Sequence, residues 1–243
     1  MRPVILILPA RDEALTIGEL IARVPPAVHG HPVEVIVVDD GSRDATAAIA
    51  RLLGVHVVAH GSGRGLGAAI RTGLAAASAR RPAAVAFCDA DGEYAPEELA
   101  DLVEPILAGR ADYVVGSRFA GRIDRMLWRR RIGNIVLTRT LRTWSGVKLS
   151  DGQSGYRALS AGAARAARIS HDYNYAQILT CDLLAQGFRY AEVPISYAFR
   201  EHGRSFVRPL PYLRRVIPAL WRQRRDLRAS RPAHTGGVVP RPH

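Results

Sequence analysis

Apolar runs of strand length alternate with amphipathic segments along the first 120 residues of the chain. Residues 4–8 are continuously apolar, and Ile17, Leu20, Ile21 and Val24 follow them at helical spacing. The same strand-then-helix pattern occurs three more times. It predicts strands over 33–38, 55–59, 83–88 and 113–116, and helices over 17–24, 45–53, 68–77 and 96–107.

This alternation predicts an α/β fold, in which a mostly parallel sheet is covered by helices on both faces. Thr16 and Glu19 have the spacing of a capping box at the start of the first helix. After about residue 120 the pattern changes to basic helical stretches, followed by a helix over 173–186 and a strand over 189–198.

We therefore expect one domain over 1–208, a basic amphipathic C-terminal helix over 209–230 and a disordered tail over 231–243. The helix has an apolar stripe typical of a membrane-surface helix, although such a stripe can equally dock on the protein core. The stripe consists of Leu213, Val216, Ile217, Leu220 and Trp221.

The chain has no run of the ~18–20 apolar residues that a membrane-spanning helix needs, and its opening apolar run meets charged residues too soon for a signal sequence. We therefore expect a cytoplasmic protein. Cys88 and Cys181 are the only cysteines and lie far apart, which excludes a disulfide framework and a CxxC site. The net charge of +12 indicates a polyanionic partner, such as nucleic acid, a phosphorylated substrate or an anionic membrane.

Polar residues follow the first, second and fourth predicted strands, where a parallel sheet binds its ligands. Asp89 and Asp91 follow the fourth strand, and alternate residues of an extended segment point the same way. With Glu93 as a third oxygen donor they could hold Mg²⁺ or Mn²⁺, completed by the phosphates of a diphosphate leaving group. The alternative is a solvated turn.

The second strand ends in Asp39 and Asp40, which are suited to contacting a ribose or base; alternatively, either residue caps the next helix. Residues 61–68 resemble a dinucleotide-binding fingerprint only weakly, because they follow the third strand and no acid lies at the expected distance. We interpret Arg64 and Gly65 as part of a turn beside a donor nucleotide.

Arginines alternate with apolar side chains after the strand at 113–116. Arg118, Arg122, Arg125 and the run 129–131 are interleaved with Phe119, Met126, Leu127 and Trp128. This pattern suits a phosphate joined to an apolar tail. A solvated basic face and a nucleic-acid patch are the alternatives.

Taken in order, seven short motifs resemble family 2 glycosyltransferases, and within them the polyprenyl-phosphate (dolichyl-phosphate) sugar synthases. The motifs are PARDE at 9–13, VDDGS at 38–42, RGLG at 64–67, DADGEY at 89–94, GSR at 116–118, DGQSGYRA at 151–158 and EVPI at 192–195. The resemblance covers about residues 3–208.

The resemblance implies a GT-A fold and an inverting transfer from GDP-mannose or a UDP-sugar to polyprenyl phosphate. It places Pro9, Arg11, Glu13 and Asp40 at the nucleotide, Asp89 and Asp91 at the metal, and Arg118 and Arg131 at the acceptor phosphate. A late loop with Arg200, Arg204 and Ser205 resembles the one that closes on the donor diphosphate.

The sequence departs from the usual family pattern at four positions, with Asp12 for Asn, Arg64 for Lys, Glu93 for Gln and Gln177 for Glu. The C-terminal membrane helices of larger members are also not found, which predicts a peripheral enzyme on the inner face of the cell membrane.

The expected mechanism is a direct displacement. A phosphate acceptor has a second pKa of about 6 and needs no general base at neutral pH, whereas a hydroxyl acceptor would need one, for which Asp151 is the candidate. A sugar-phosphate nucleotidyltransferase and a nucleic-acid-binding protein are the rival hypotheses. Because the latter leaves the acidic strand ends unexplained, we expect no nucleic-acid partner.

Overall fold

A computed structural model describes residues 1–170, 172 and 175–198, except for the side chains of Arg129 and Trp144. The described residues form eight strands, whose bounds are β1 (Val4–Ala10), β2 (Ala27–Val28), β3 (His31–Asp39), β4 (His56–Ala59), β5 (Ala84–Phe87), β6 (Tyr113–Ile123), β7 (Arg157–Ser160) and β8 (Tyr190–Tyr197). The helices are α1 (Ile17–Ala22), α2 (Thr46–Leu52), α3 (Leu66–Ser78), α4 (Leu99–Leu107), α5 (Trp128–Ser145), α6 (Ala161–Ala166) and α7 (Ala176–Ala185).

One mixed sheet organises the molecule, with the strands in the order β4-β3-β1-β5-β7-β6-β8. β4, β3, β1 and β5 are mutually parallel, and β6 and β8 are parallel to each other. β7 runs antiparallel to both of its neighbours, β5 and β6. The short β2 adds an antiparallel pair at the start of β3. The expected mostly parallel α/β sheet is confirmed, with one reversed strand in its middle.

Helices cover both faces of the sheet, and β1 shows why the central strands are continuously apolar. Ile5 and Ile7 point into one core cluster, which includes residues of α3, α6 and α7. Val4, Leu6 and Leu8 point into a second cluster with residues of α1 and α4. Because both faces of the strand are buried, no alternation of polar and apolar residues is possible.

The predicted elements of the first 120 residues are all present, and their ends shift by three residues or fewer, except that β6 continues seven residues beyond its predicted end. β2, β7 and α6 were not predicted, because two- and four-residue strands and a six-residue helix carry little periodicity. The expected capping box is not formed: α1 has no side-chain cap, and the Thr16 hydroxyl donates a hydrogen bond to the Ala90 carbonyl oxygen at 2.8 Å.

The helix predicted over 209–230 and the tail predicted over 231–243 lie outside the described residues. Within the described part of the chain, no helix combines the length and apolarity needed to cross a bilayer.

Replacing Gly73 by Ala should destabilise the fold, since the new methyl group would collide with the Ile7 side chain where α3 crosses β1. We expect a loss of about 1–3 kcal/mol in the free energy of unfolding, measured by urea denaturation. Gly133→Ala is the matched control, because its methyl group meets no atom within 4 Å. That helical substitution should stabilise the protein by up to about 1 kcal/mol. Equal stabilities for the two variants would contradict the packing argument.

Candidate active site

The loops after β1, β3 and β5 meet at one edge of the sheet, as their positions at strand ends predicted. Asp12 N donates to Ser42 Oγ at 3.0 Å, and Arg43 N donates to Asp12 Oδ1 at 2.7 Å. Thr16 links the first loop to the third through Ala90. Asp12 has a φ of 55°, a left-handed conformation that Asp and Asn tolerate better than most residues. Asp12 therefore fits the turn at which the family usually has Asn.

Asp40 is buried and organises the glycine-rich loop that follows β4. Its Oδ1 lies 2.7 Å from His60 Nδ1 and accepts the Arg64 N–H at 2.8 Å, while Oδ2 accepts the Gly65 N–H at 2.8 Å. Asp39 is also buried and accepts the Ser42 N–H at 3.3 Å. Neither carboxylate caps α2, whose N-cap residue has no side-chain hydrogen bond. The capping alternative is therefore not what the structure contains.

The glycine-rich loop packs closely against the loops that follow β1 and β3. A Cβ on Gly41 would lie 2.6 Å from Gly63 N, and a Cβ on Gly63 would collide with the Arg11 guanidinium. Arg11 and Arg64 are both exposed here, Glu13 is half-buried, and Pro9 is buried within β1. Those residues predicted to contact the donor that the structure describes are thus gathered around one loop cluster, in which Arg11, Arg43 and Arg64 are exposed.

Asp89 and Asp91 follow β5 at the same edge of the sheet. Gly155 packs so closely against the first carboxylate that a Cβ would lie 2.5 Å from Asp89 Oδ2. Asp91 Oδ1 accepts the Glu93 N–H at 3.1 Å. Two carboxylates on one short loop suit Mg²⁺ or Mn²⁺, which commonly bind one or two carboxylates and take further oxygens from phosphates. The pair therefore fits the expected metal.

Glu93 does not join them as the third ligand that we expected. Its carboxylate is buried and accepts hydrogen bonds from Arg130 Nη1 and Nη2 at 2.7 and 2.9 Å. Within the described residues, no group of three His, Cys, Asp or Glu side chains is close enough to hold a metal ion. The physical reason is that Arg130, in the first turn of α5, offers this buried carboxylate two charge-assisted hydrogen bonds.

Arg118 and Asp151 form a fully buried ion pair. Arg118 Nε donates to Asp151 Oδ2 at 2.6 Å and Nη2 donates to Oδ1 at 2.9 Å, with side-chain exposures of 1% and 0%. Burial by itself lowers the pKa of Arg118, but the nearby Tyr94 and the hydrogen bonds to Asp151 outweigh it, and the net pKa is raised. Both residues belong to our predicted site, but the structure pairs them with each other instead of exposing them.

Glu192 anchors the loop that carries Asp151. Its carboxylate accepts hydrogen bonds from Ser150 N, Ser150 Oγ, Asp151 N and the Tyr190 hydroxyl. Glu192 belongs to the EVPI motif on β8, whose role the sequence did not reveal. The anchor fixes the loop 150–155, which in turn places Gly155 against Asp89.

Tyr197 lies between the two arginine pairs and was missed by sequence reasoning. Its ring centroid is 5.3 Å from Arg118 Cζ and 5.5 Å from Arg130 Cζ, and its ring packs edge-on against Tyr94. Tyr94 in turn accepts the Gly155 N–H at 2.7 Å. An aromatic residue beside two cations is stabilising, but the residues are too far apart in sequence for their proximity to be predicted.

The other residues singled out in the sequence lie in different environments or outside the described part of the chain. Arg131 is exposed on α5, and Gln177 is buried with an Oε1 atom that has no partner among the described residues. Arg200, Arg204 and Ser205 lie outside the described residues.

Residues 5–167 match the family described as Glycosyl transferase family 2. The chain belongs to this family. Polyprenol monophosphomannose synthase of Mycolicibacterium smegmatis is 36% identical over 216 residues, which cover 82% of this chain and 78% of the relative. The dolichyl-phosphate N-acetylglucosaminyltransferase of Methanococcus voltae, which is named for UDP-N-acetylglucosamine, is 29% identical over 223 residues, covering 82% and 86%.

A similar solved structure is glucosyl-3-phosphoglycerate synthase from Mycobacterium tuberculosis in complex with Mn²⁺, UDP and glucosyl-3-phosphoglycerate. It aligns with a TM-score of 0.69 and 27% identity over 91% of this chain and 80% of the other. The same enzyme has also been solved with Mg²⁺ and UDP. The predicted GT-A fold and the resemblance to polyprenyl-phosphate sugar synthases are confirmed. The protein is a glycosyltransferase, and the rival hypothesis of a sugar-phosphate nucleotidyltransferase is therefore wrong.

In this glycosyltransferase, Gly155→Ala should move the Asp89 carboxylate and impair metal use. We expect a rate loss of tenfold to about a hundredfold, since displacement of a reacting group by ~1 Å can cost that much. Nucleotide release from the donor, measured against Mn²⁺ concentration, should also require more metal. Gly162→Ala is the control, because its nearest new contact is an ordinary 3.8 Å. Wild-type metal dependence in the Gly155 variant would show that Asp89 tolerates displacement.

Asp151→Asn should destabilise the protein by about 3–5 kcal/mol, because the Arg118 charge would remain buried without a counter-ion. The matched control is Asp124→Asn, which breaks the exposed pair with Arg122, where the side chains are 82% and 53% exposed. That change should alter the free energy of unfolding by less than about 1 kcal/mol. Similar urea midpoints for the two variants would contradict the importance of the buried pair.

Proposed function

We propose that the protein is an inverting hexosyltransferase that moves a sugar from a nucleotide-diphosphate donor to a polyprenyl phosphate, at the cytoplasmic face of the cell membrane. The names of the relatives support the acceptor class, and mannose or glucose is the sugar that we favour. The donor would be GDP-mannose or a UDP-sugar. The protein would act as a peripheral enzyme.

The observation that carries the proposal is the state of Asp151, the only general base that we derived for a hydroxyl acceptor. Both of its oxygens accept hydrogen bonds from Arg118, and Oδ1 also accepts the Gln153 N–H at 3.1 Å. A carboxylate held in this way is poorly placed to take a proton from a substrate. A phosphate acceptor is already an anion near neutral pH and requires no such base.

On the donor side, the described residues offer two carboxylates for a metal ion and exposed cations for phosphate. Asp89 and Asp91 would hold Mg²⁺ or Mn²⁺, which neutralises charge on a leaving diphosphate when it is bound. Arg11 and Arg64 are exposed cations at the proposed donor loops, as is Arg43, and Glu13 lies in the same loop as Arg11. Asp40 supports the glycine-rich loop through its hydrogen bonds to Arg64 N and Gly65 N, and the resemblance places Pro9 at the nucleotide.

On the acceptor side, Arg131 is the exposed cation on α5 that we assign to the acceptor phosphate. Arg118 is buried and holds the loop 150–155 through its pair with Asp151. The resemblance assigns Arg200, Arg204 and Ser205 to the donor diphosphate. The nucleophilic acceptor oxygen would attack the anomeric carbon opposite the leaving group, and positioning and electrostatics would supply most of the acceleration.

A second candidate acceptor is a small phosphorylated hydroxy compound, favoured by the structural similarity to glucosyl-3-phosphoglycerate synthase. With this acceptor the attacking group would be a hydroxyl, and Asp151 would have to leave its pair with Arg118. The geometry therefore supports it less well than a lipid phosphate.

The deciding experiment is mass spectrometry of the products formed with a panel of nucleotide sugars, Mg²⁺ or Mn²⁺, and either polyprenyl phosphate or phosphoglycerate. We expect a metal-dependent glycosyl phospholipid from one donor. A glycosylated phosphoglycerate without a lipid product would overturn the acceptor assignment. Donor hydrolysis alone would leave sugar-donor use supported and the lipid acceptor unsupported.

The pH dependence should report the acceptor and not an enzyme base. With saturating donor, kcat/KM for polyprenyl phosphate should rise with pH through about 6 and then level off, because the phosphate is the attacking anion only after its second ionisation. A polyprenyl phosphonate, whose second pKa is higher, should shift the inflection to higher pH by the same difference. An inflection that stays fixed when the acceptor changes would indicate an enzyme base and contradict the mechanism.

A further inference from the structure

Helix α5 packs on the core through Leu137 and Leu141, yet it leaves four other apolar residues facing solvent. Trp128, Ile132 and Val136 are 66%, 53% and 56% exposed, and Ile135 is 39% exposed. The face that packs on the protein contains the polar residues Asn134 and Thr138. A helix with this arrangement has an apolar stripe that the described part of the protein leaves uncovered.

The exposed residues form one continuous stripe, because their spacing of four, three and one positions keeps them on one side of a helix. Leu127, 56% exposed, extends the stripe at its beginning. We call Leu127, Trp128, Ile132, Ile135 and Val136 the α5 stripe. Contiguous exposed apolar side chains of this kind mark a protein-binding or membrane-binding surface.

The helix is fixed to the active site at two points, so the stripe has a defined position. Arg130 binds Glu93 beside the metal loop, and the Thr138 hydroxyl accepts the Gly152 N–H at 3.0 Å. Arg131, the cation assigned to the acceptor phosphate, is also exposed on this helix. Anything that covers the stripe therefore lies next to the acceptor side of the site.

The charge of α5 indicates which partner covers the α5 stripe. Helix α5 contains five arginines and no Asp or Glu, and Arg131, Arg139 and Arg142 are exposed. The chain's own C-terminal segment 200–231 has ten arginines against two acids, a net charge of +8, and a second copy of the chain has a net charge of +12. Both would be repelled by α5, whereas an anionic lipid surface complements its arginines and takes up its apolar residues.

We propose that α5 is a membrane-docking helix, whose stripe inserts into the interfacial region of an anionic bilayer while its arginines contact lipid phosphates. This inference deepens the proposed function, since it brings a membrane-embedded acceptor phosphate to Arg131. Docking can be measured without donor or acceptor, so its failure is distinguishable from failure of the transferase assignment.

The first test is flotation of the full chain with vesicles of phosphatidylglycerol and phosphatidylcholine. The double variant Ile132→Ser, Val136→Ser should bind at least about tenfold more weakly than the wild type, because two apolar side chains no longer enter the bilayer. The matched control is Leu15→Ser, Leu52→Ser, which removes side chains that are 78% and 87% exposed elsewhere, and should bind as the wild type does. Binding should also weaken with salt and with neutral vesicles.

A second test locates the contact directly. Cys88 and Cys181 are buried, so a cysteine introduced by Val136→Cys can be labelled selectively with an environment-sensitive fluorophore. Its emission should shift to the blue on adding anionic vesicles, whereas a label introduced through Leu52→Cys should not respond.

Three outcomes would overturn the proposal. Unchanged vesicle binding by the double variant would assign docking to another segment. A silent label at position 136 would show that the stripe stays in water. A wild-type dimer that the double variant converts to a monomer, seen by sedimentation, would assign the stripe to a second copy of the chain.

Discussion

The buried ion pair between Arg118 and Asp151 is the interaction on which the proposed acceptor side of the site depends. A buried pair is stable only when its geometry is good and its remaining hydrogen-bonding capacity is used. Here Gln153 N supplies a further bond to Asp151, and Glu192 holds the same loop from β8. The pair joins β6 to the loop 150–155, Glu192 joins that loop to β8, and Gly155 at the end of the loop packs against Asp89. The residues that we assign to the metal and to the acceptor are therefore linked through this loop.

The sequence predicted the donor half of the protein well. Continuous apolar strands with helical segments between them leave few alternatives to a parallel sheet, and the rule that ligands bind at the carboxyl ends of strands brings Arg11, Asp40 and Asp89 together. The sequence could not predict which polar side chains form hydrogen bonds with each other. Asp40 is engaged by His60 and by the glycine-rich loop, a partnership between residues 20 or more positions apart that no local pattern records.

The acceptor half was predicted less completely, for identifiable reasons. β7 has four residues and no periodicity, so the reversal of direction within the sheet was not visible. Asp89, Asp91 and Glu93 occupy alternate positions in the sequence, and only the fold reveals that Arg130 binds the Glu93 carboxylate. Helix α5 was recognised as basic and helical, but the sequence could not reveal that Ile132 and Val136 face solvent while Asn134 and Thr138 are buried. The order of the motifs identified the family, but only the three-dimensional structure shows which charged side chains pair with each other.

The reversed strand β7 has a consequence for how such enzymes diversify. Because β6 ends and β7 begins at the same edge of the sheet, residues 124–156 leave the ligand-binding edge and return to it as one excursion. This excursion contains α5, Asp151 and Gly155, but contributes no strand to the sheet. Its length and surface can vary while the register of the strands that precede the proposed nucleotide and metal residues stays the same. A single donor-binding scaffold can therefore be adapted to soluble or lipid acceptors by exchanging one segment.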